Sequence, residues 1–355
     1  MSGRLPLGPF DSGLRQPFLI ECDLEGARVT AASFSSGFGR RGVEHAFEGA
    51  GLVEATRLAA RICAPSSIAH SLAFCCAVED AEGVDVEDGP AALRAVLAEY
   101  ERIAAHLGVL SNVGRSLEDD IVCRGPGRYI SRVCRAFTAA SGSPFAFGMI
   151  VPGGVRVEGS LEAIDGLSDM RRALARDSSF WEVKLKASRA RLLGARLPGG
   201  AVPGEAPSAP AFRASGTDVD LRSGESAYGC YSKVDCEPVV RQDGTALDRL
   251  LLLTAEIRAS LGIIEEVGGG VEPVPGEPEE FPSEGGNGVG VCESPTGAVE
   301  HRVSLGPGGT VIHNRIVTQV EAVAGTVGDA LSGIMYEDLV PSVLSFHLCA
   351  ACINL

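Results

Sequence analysis

The clearest periodic signal in the chain runs over residues 90–118. Leu93, Val96, Leu97, Tyr100, Ile103, Ala104, Leu107 and Leu110 recur at helical spacing, with Arg94, Glu99, Glu101 and Arg102 mainly off that stripe. A broad apolar face made by Leu247, Leu250, Leu251, Ile257, Leu261 and Ile264 predicts a second helix over 245–267. Further helices are expected at 48–62, 128–141, 160–177 and 319–334. The period changes near the N-terminus, where Phe18, Ile20 and Cys22 alternate before a Glu25-Gly26 turn and Val29. That pattern reads as a hairpin within 17–32, and two more strands are expected near 298–305 and 310–317. Gly, Pro and Glu dominate 268–290, which reads as a surface loop or mobile insertion, and 198–210 is a shorter breaker-rich stretch. No internal repeat is present. Helices with short peripheral strands give an α+β class, mainly α: a central helix bundle with small peripheral antiparallel sheets. We read one domain over 1–355, with a β-rich part to residue 45, a helical core over 46–267, the loop at 268–290 and a C-terminal part over 291–355.

Composition narrows the function. The 355 residues carry a formal net charge of −15, which argues against a sequence-independent nucleic-acid binder. The 11 cysteines are odd in number and lie in apolar contexts, and Met1-Ser2-Gly3-Arg4-Leu5-Pro6 is no apolar signal segment. A cytoplasmic setting with mostly free thiols is expected. The most apolar stretches, Leu250 to Leu253 and Val343 to Leu355, are too short to span a bilayer. Work at a membrane would therefore go through docking onto other subunits.

Two separated cysteine segments carry the candidate chemistry. One runs Arg61-Ile62-Cys63-Ala64-Pro65-Ser66-Ser67-Ile68-Ala69-His70, the other Cys349-Ala350-Ala351-Cys352-Ile353-Asn354-Leu355. Two Cys-x-x-Cys elements can surround a soft metal with four sulfurs, and here Ser66 takes one of the four positions. Three readings stay open. Cys63, Cys349 and Cys352 are metal ligands; or they are small buried core residues; or they form a zinc shell with His347, or with His70, as the imidazole. Cys75 and Cys76 do not replace the missing ligand, because a helix there puts Cys75 more than two turns beyond Ser66. Gly268-Gly269-Gly270 lacks the Lys and Ser/Thr of a phosphate loop, and no ferredoxin spacing occurs.

Several stretches in order along the chain carry a family resemblance. Arg61 to Ser71 resembles an R-I-C-G-x-C-x-x-A-H-S pattern, and Cys349 with Cys352 resembles D-P-C-x-x-C. Arg41-Gly42-Val43-Glu44, Glu101-Arg102-Ile103-Ala104-Ala105-His106-Leu107, Pro152-Gly153-Gly154-Val155-Arg156 and Arg213-Ala214-Ser215-Gly216 with Asp220-Leu221-Arg222 resemble R-G-x-E, E-R-I-x-x-H-L, P-G-G-V-R and R-A-S-G-x-x-x-D-x-R. Together they resemble the large subunit of nickel–iron hydrogenases of the membrane-bound, energy-converting (group 4) type. That group is homologous to the D-type subunit of complex I, the NADH–quinone oxidoreductase.

The resemblance implies a helical architecture that brings both chain ends to one buried site. It implies nickel and iron, with Cys63 and Cys349 as terminal nickel thiolates and Cys352 as a bridging thiolate. Glu44 would be the proton-transfer carboxylate, and His70 would donate a hydrogen bond near the metal. It implies partners: a small iron–sulfur subunit and, through it, a membrane arm. The chain would then sit at the cytoplasmic membrane and couple electron transfer to proton reduction or hydrogen oxidation. The sequence departs from the pattern at several places, among them Ala64 for the glycine of R-I-C-G and Leu348 for the proline of D-P-C. Ser66 replaces a bridging thiolate, Thr296 replaces the arginine of A-P-R-G, His347 replaces the aspartate of D-P-C, and Gly8-Pro9-Phe10-Asp11-Ser12 lacks the quinone-facing histidine of G-P-x-H-P. The functional readings are a hydrogenase-like subunit with an incomplete nickel site, a catalytically silent structural or coupling subunit, and a zinc-binding structural derivative. NADH oxidation would belong to a different subunit.

Overall fold

A computed structural model of the chain describes residues 2–10, 17–197, 199, 208–224, 227–270 and 284–355. In chain order the elements are β1 (Ser2–Leu7), β2 (Leu19–Glu25), β3 (Arg28–Ser35), α1 (Val43–Ala46), α2 (Leu52–Ala59), α3 (Ser67–Glu82), α4 (Asp88–Ser116), α5 (Asp120–Arg124), α6 (Gly127–Ser141), β4 (Ile150–Val151), β5 (Gly154–Val155), α7 (Glu162–Asp165), α8 (Arg171–Ala187), α9 (Arg189–Leu192), α10 (Pro210–Arg213), α11 (Ala246–Gly270), β6 (Gly286–Ser294), β7 (Gly297–Gly306), β8 (Thr310–Thr318), α12 (Val320–Leu331) and α13 (Leu339–Ser345). The strands form antiparallel sheets β1-β2-β3, β4-β5 and β6-β7-β8 around the helices, an α+β arrangement that is mainly α.

The two strongest periodic signals, α4 and α11, pack against each other at the centre. Leu93, Leu97, Tyr100, Ile103, Leu107 and Leu110 of α4 are buried, as are Leu250, Leu251, Ile257 and Leu261 of α11. Polar groups between these helices are paired: His106 meets Glu256 at 2.6 Å, and Ser260 Oγ donates to Glu99 at 2.5 Å. Burial without such partners would cost several kcal/mol, on the order of 2–7 for each group.

Some elements differ from the sequence pattern for identifiable reasons. The expected helix at 48–62 ends at Ala59, so the chain can turn into the first cysteine segment. The helix expected at 160–177 is broken: α7 and a 3₁₀ turn over Gly166–Met170 precede α8. The core face of α8, Leu174, Ser178, Trp181 and Leu185, therefore falls further along the chain. Strand β1, which the pattern did not reveal, contains Pro6; it is an edge strand, where a missing N–H is tolerated.

The 268–290 loop reading needs correction at both ends. Helix α11 continues to Gly270 and strand β6 begins at Gly286, while 271–283 lie outside the described residues. Glycine in β6 serves packing rather than exposure. A Cβ on Gly288 would stand 2.0 Å from the Ala77 carbonyl oxygen, and one on Gly290 equally close to that of Ala73. Alternating glycines let β6 lie directly on the small-residue face of α3. Of the 198–210 stretch, 198 and 200–207 also lie outside the described residues.

Candidate metal centre

Helix α2, a turn and the end of α13 bring the three cysteines together. Cys63 is extended just before a 3₁₀ turn over Ala64–Ser66 that runs into α3. Cys349 and Cys352 follow α13 through His347, whose φ of 55° is a left-handed conformation that costs a non-glycine residue about 1–3 kcal/mol. The three Sγ atoms lie within 4.8 Å of one another, and Cys63 Sγ is 3.1 Å from Cys349 Sγ. Two side chains fasten this closure. Arg41 donates to the carbonyls of Ile62 and Ala351, both at 2.8 Å, and so ties the two cysteine segments directly. Asn354 accepts from the Gly37 and Gly39 amides at 3.0 and 3.2 Å and donates to Ala350 O at 2.7 Å. Arg41 stands in a motif legible in the sequence, without this role; no sequence signal points to Asn354.

The sulfurs share charge unequally. Hydrogen bonds from the Cys352 and Cys63 thiols hold Cys349 well below the usual thiol range. Donating to that thiolate, with burial, pushes Cys63 and Cys352 well above it. Ligation needs all three sulfurs deprotonated, and Cys349 is the one that its neighbours favour in that form. His70 stands beside it, with Nε2 3.4 Å from Cys352 Sγ. Burial lowers His70 to about 4, so its ring is neutral. Its Nδ1 meets His301 Nε2 at 3.2 Å, and His301 in turn meets Asn314, a second layer that fixes the ring. His301 was legible only as an inward position alternating with Val299 and Val303 on β7.

A cavity of 470 Å³ adjoins the cluster. Ser66, Glu101, Thr296, His347 and Cys349 line its polar part, and Ala104, Val109, Ile130, Val133, Phe137 and Leu344 are among its apolar walls. Ser66 is buried, so the position of the fourth ligand points into the protein but bears a hydroxyl. Thr296 sits in the two-residue turn between β6 and β7, its hydroxyl 3.1 Å from Ser294 Oγ. Arg102 anchors that turn by donating to the Ser294 and Glu293 carbonyls at 2.9 and 2.5 Å. Glu101, the next residue back, accepts from the Ile68 and Ala69 amides at 2.6 and 3.1 Å. It thereby caps the start of α3 from another helix. Burial pushes its carboxyl up to about 8, against those two amide bonds.

Two residues singled out from sequence take partners other than the sulfurs. His347 does not join the sulfurs, which corrects its place in a zinc shell. Its ring packs on His106 at a centroid distance of 5.3 Å, its Nδ1 has no hydrogen-bond partner among the described residues, and burial lowers it to about 3. Glu44 is held by β8: it accepts from the Ile316 amide at 2.8 Å and from Arg315 at 3.2 Å. Glu101, not Glu44, is the carboxyl that lines the cavity.

Beneath the site lies a buried ion network. Arg213 reaches Glu293 at 3.0 Å, Asp220 at 3.5 Å and Glu256. Arg222 pairs with Asp220 at 2.7 Å and Glu99 at 3.0 Å, and Tyr231 donates to Glu99 at 2.6 Å. The R-A-S-G-x-x-x-D-x-R residues are thus the cationic frame between α4, α11 and β6.

Residues 130–333, more than half of the chain, match the family model described as respiratory-chain NADH dehydrogenase, 49 Kd subunit. The chain belongs to this family. The matched stretch excludes both cysteine segments and helices α2, α3 and α4; it contains α11, β6 to β8 and, of the ion network, Arg213, Asp220, Arg222, Glu256 and Glu293. The membrane-bound hydrogenase subunit alpha of Pyrococcus furiosus is 27% identical, across 98% of this chain and 86% of that protein. An NADH-quinone oxidoreductase D-type subunit of Thermodesulfovibrio yellowstonii is 25% identical, across 74% and 66%. A subunit in the solved structure of the membrane-bound sulfane sulfur reductase, an archaeal respiratory membrane complex, superposes with a TM-score of 0.83 at 22% identity, covering 100% of this chain and 98% of that one. The relatives are subunits of multisubunit membrane-bound hydrogenase and complex I-like assemblies. No single helix among the described residues is long and apolar enough to cross a membrane.

Proposed function

We propose that this chain is the large, site-bearing subunit of a membrane-associated electron-transfer complex, held at the membrane by partner subunits. Its centre holds one soft metal ion, nickel or zinc, on Cys63, Cys349 and Cys352. The convergence of three buried sulfurs within 4.8 Å beside a cavity carries this reading. A binuclear nickel–iron group held by four thiolates does not fit these residues. Ser66 supplies no thiolate, and Thr296 supplies no cation over the site, so we derive no hydrogen chemistry through such a group. A single ion fits, because three thiolates are enough protein ligands to hold it, and Cys349 lines the cavity from which a further ligand would come.

Bound there, the ion supplies a Lewis-acid or redox centre. The chain's own residues do the rest. His70 orients the Cys352 sulfur, Arg41 holds the two ligand segments together, and the protonated Glu101 carboxyl offers a proton inside the cavity.

Metal removal tests the reading. In the natively purified complex the three thiols should resist iodoacetamide. After chelation Cys349 should be alkylated first, at least about tenfold faster than before, because it is the one of the three that lines the cavity, and hydrogen bonds from the other two sulfurs lower it from the ordinary thiol value. Unchanged alkylation at Cys63, Cys349 and Cys352 with and without chelator would count against a metal at this site.

A further inference from the structure

Three hydrogen bonds in series lead from the thiols into the sheet behind them. Cys352 Sγ is 3.4 Å from His70 Nε2, His70 Nδ1 is 3.2 Å from His301 Nε2, and His301 Nδ1 faces the Asn314 side chain. Topology builds this series. The β6-β7-β8 sheet packs on α3, which carries His70. On the sheet, His301 of β7 is registered with Ile316 of β8 and Val303 with Asn314, so His301 and Asn314 are diagonal neighbours. All three side chains are fully buried, and Phe74 stands edge-on to His301 at a centroid distance of 6.0 Å.

Burial keeps both rings neutral: it lowers His70 to about 4 and His301 well below the ordinary histidine value. A neutral imidazole donates at one nitrogen and accepts at the other. The series therefore has two self-consistent directions. In one, Asn314 Nδ2 donates to His301 Nδ1, His301 Nε2 donates to His70 Nδ1, and His70 Nε2 donates to the Cys352 sulfur. In the other every bond is reversed, and the Cys352 sulfur must carry a hydrogen. A metal-bound thiolate carries none, so only the first direction satisfies all three bonds; the second would set the His70 Nε2 lone pair against those of the sulfur. The far end permits the first direction. Asn314 Nδ2 lies 3.1 Å from His301 Nδ1, with Oδ1 at 3.2 Å. An amide can present its N–H there, whereas an apolar side chain presents nothing.

We propose that Asn314 is a positioning residue for the metal centre: by donating to His301 Nδ1 it sets the tautomers of both rings, so that His70 gives its Nε2 hydrogen to the Cys352 sulfur that holds the ion. The inference rests on the proposed single-metal reading and deepens it, from the sulfurs to a residue two side chains away. A hydrogen bond donated to a ligating thiolate supports its charge, and partners behind a metal's ligands govern how tightly the ion is held.

The test uses the complex purified whole, stripped by chelation and reloaded with cobalt(II). Elemental mass spectrometry reads cobalt per chain against rising chelator. Asn314→Leu should lower cobalt affinity at least about tenfold, the scale on which such partners act. Asn314→Val takes its place if the leucine variant does not assemble. In His301→Gln the side-chain amide stands in for Nε2 and can donate to His70 whatever residue 314 is. Adding Asn314→Leu to His301→Gln should therefore cost no more than about a further twofold. A residue that only packs would cost the same in both backgrounds. Unchanged affinity in Asn314→Leu would overturn the proposal, as would an equal loss with His301 and with Gln at that position. If the unaltered complex takes up no cobalt, the metal reading itself fails and this inference falls with it, a result distinct from the other two.

Discussion

Replacing Arg213 with Met should destabilise the chain by about 3–5 kcal/mol, the cost of leaving buried charges unpaired. Arg213 is fully buried and holds three carboxylates, those of Glu293, Asp220 and Glu256. These sit on β6, on the segment after α10 and on α11, so one cation joins three parts of the core. With the guanidinium gone, Arg222 still answers Asp220, but Glu256 keeps only His106 and Glu293 loses its close cation. Burial already pushes Glu293 up to about 7, so it should take up a proton, whereas Glu256 is held low chiefly by Arg213 against burial. Arg213→Met with Glu256→Gln should therefore recover part of the loss. Denaturant midpoints of the purified chain measure it, or soluble yield where the single variant does not accumulate. A loss under about 1 kcal/mol would mean that the network does not frame the core.

The second large effect is a pH dependence traced to Glu101. Its folded carboxyl titrates near 8 against an ordinary value of 4.5, because burial outweighs the amide bonds from Ile68 and Ala69. Between those values the folded chain holds a proton that the unfolded chain has released. Stability contributed by this group is therefore full at low pH and falls as pH rises toward 8. Glu101→Gln removes the titration and nothing else ionisable. Relative to the native chain, the variant should gain about 1.6 kcal/mol between pH 6.5 and pH 8, at up to about 1.36 kcal/mol per pH unit and less as the carboxyl reaches half-ionisation near 8. Taking the difference between the two proteins cancels the buried histidines, and Cys63 and Cys292, the thiols that the Glu101 charge acts on, are pushed well above the ordinary thiol value. Parallel stability curves across that range would show that Glu101 is ionised in the folded protein and carries no proton for the cavity.

Much of this was legible in the sequence, and the failures have physical causes. Helices α4 and α11 keep enough of a stripe to be seen, and β2-β3 and β7-β8 keep their alternation. Helix α3 gave no periodic signal, because it is buried on nearly every side and shows no stripe. The glycines at 286, 288 and 290 signalled a loop, yet they mark the closest strand-to-helix packing in β6. The charges of α4 lie mainly off its apolar stripe, yet Arg94, Glu99, Glu101 and Arg102 are all buried. Their partners are distant in sequence: Glu99 meets Arg222 and Ser260, and no local pattern encodes such a pair. The three cysteines were found from their spacing. That His347 turns to His106 while His70 stays with the sulfurs depends on a left-handed backbone turn that residue types alone do not reveal.

Ser66 and Thr296 separate two accounts of the thiol centre: a working single-metal site, and a retained fold whose chemistry has gone. Elemental mass spectrometry of the natively purified complex decides between them, read per copy of this chain after subtracting the partner's iron. The single-metal account predicts one nickel or zinc ion per chain, lost in Cys349→Ser with the partner subunits still present. No nickel or zinc would contradict it and leave a silent structural or coupling subunit. Nickel together with one extra iron per chain would contradict it in the other direction, by placing a binuclear group on three thiolates.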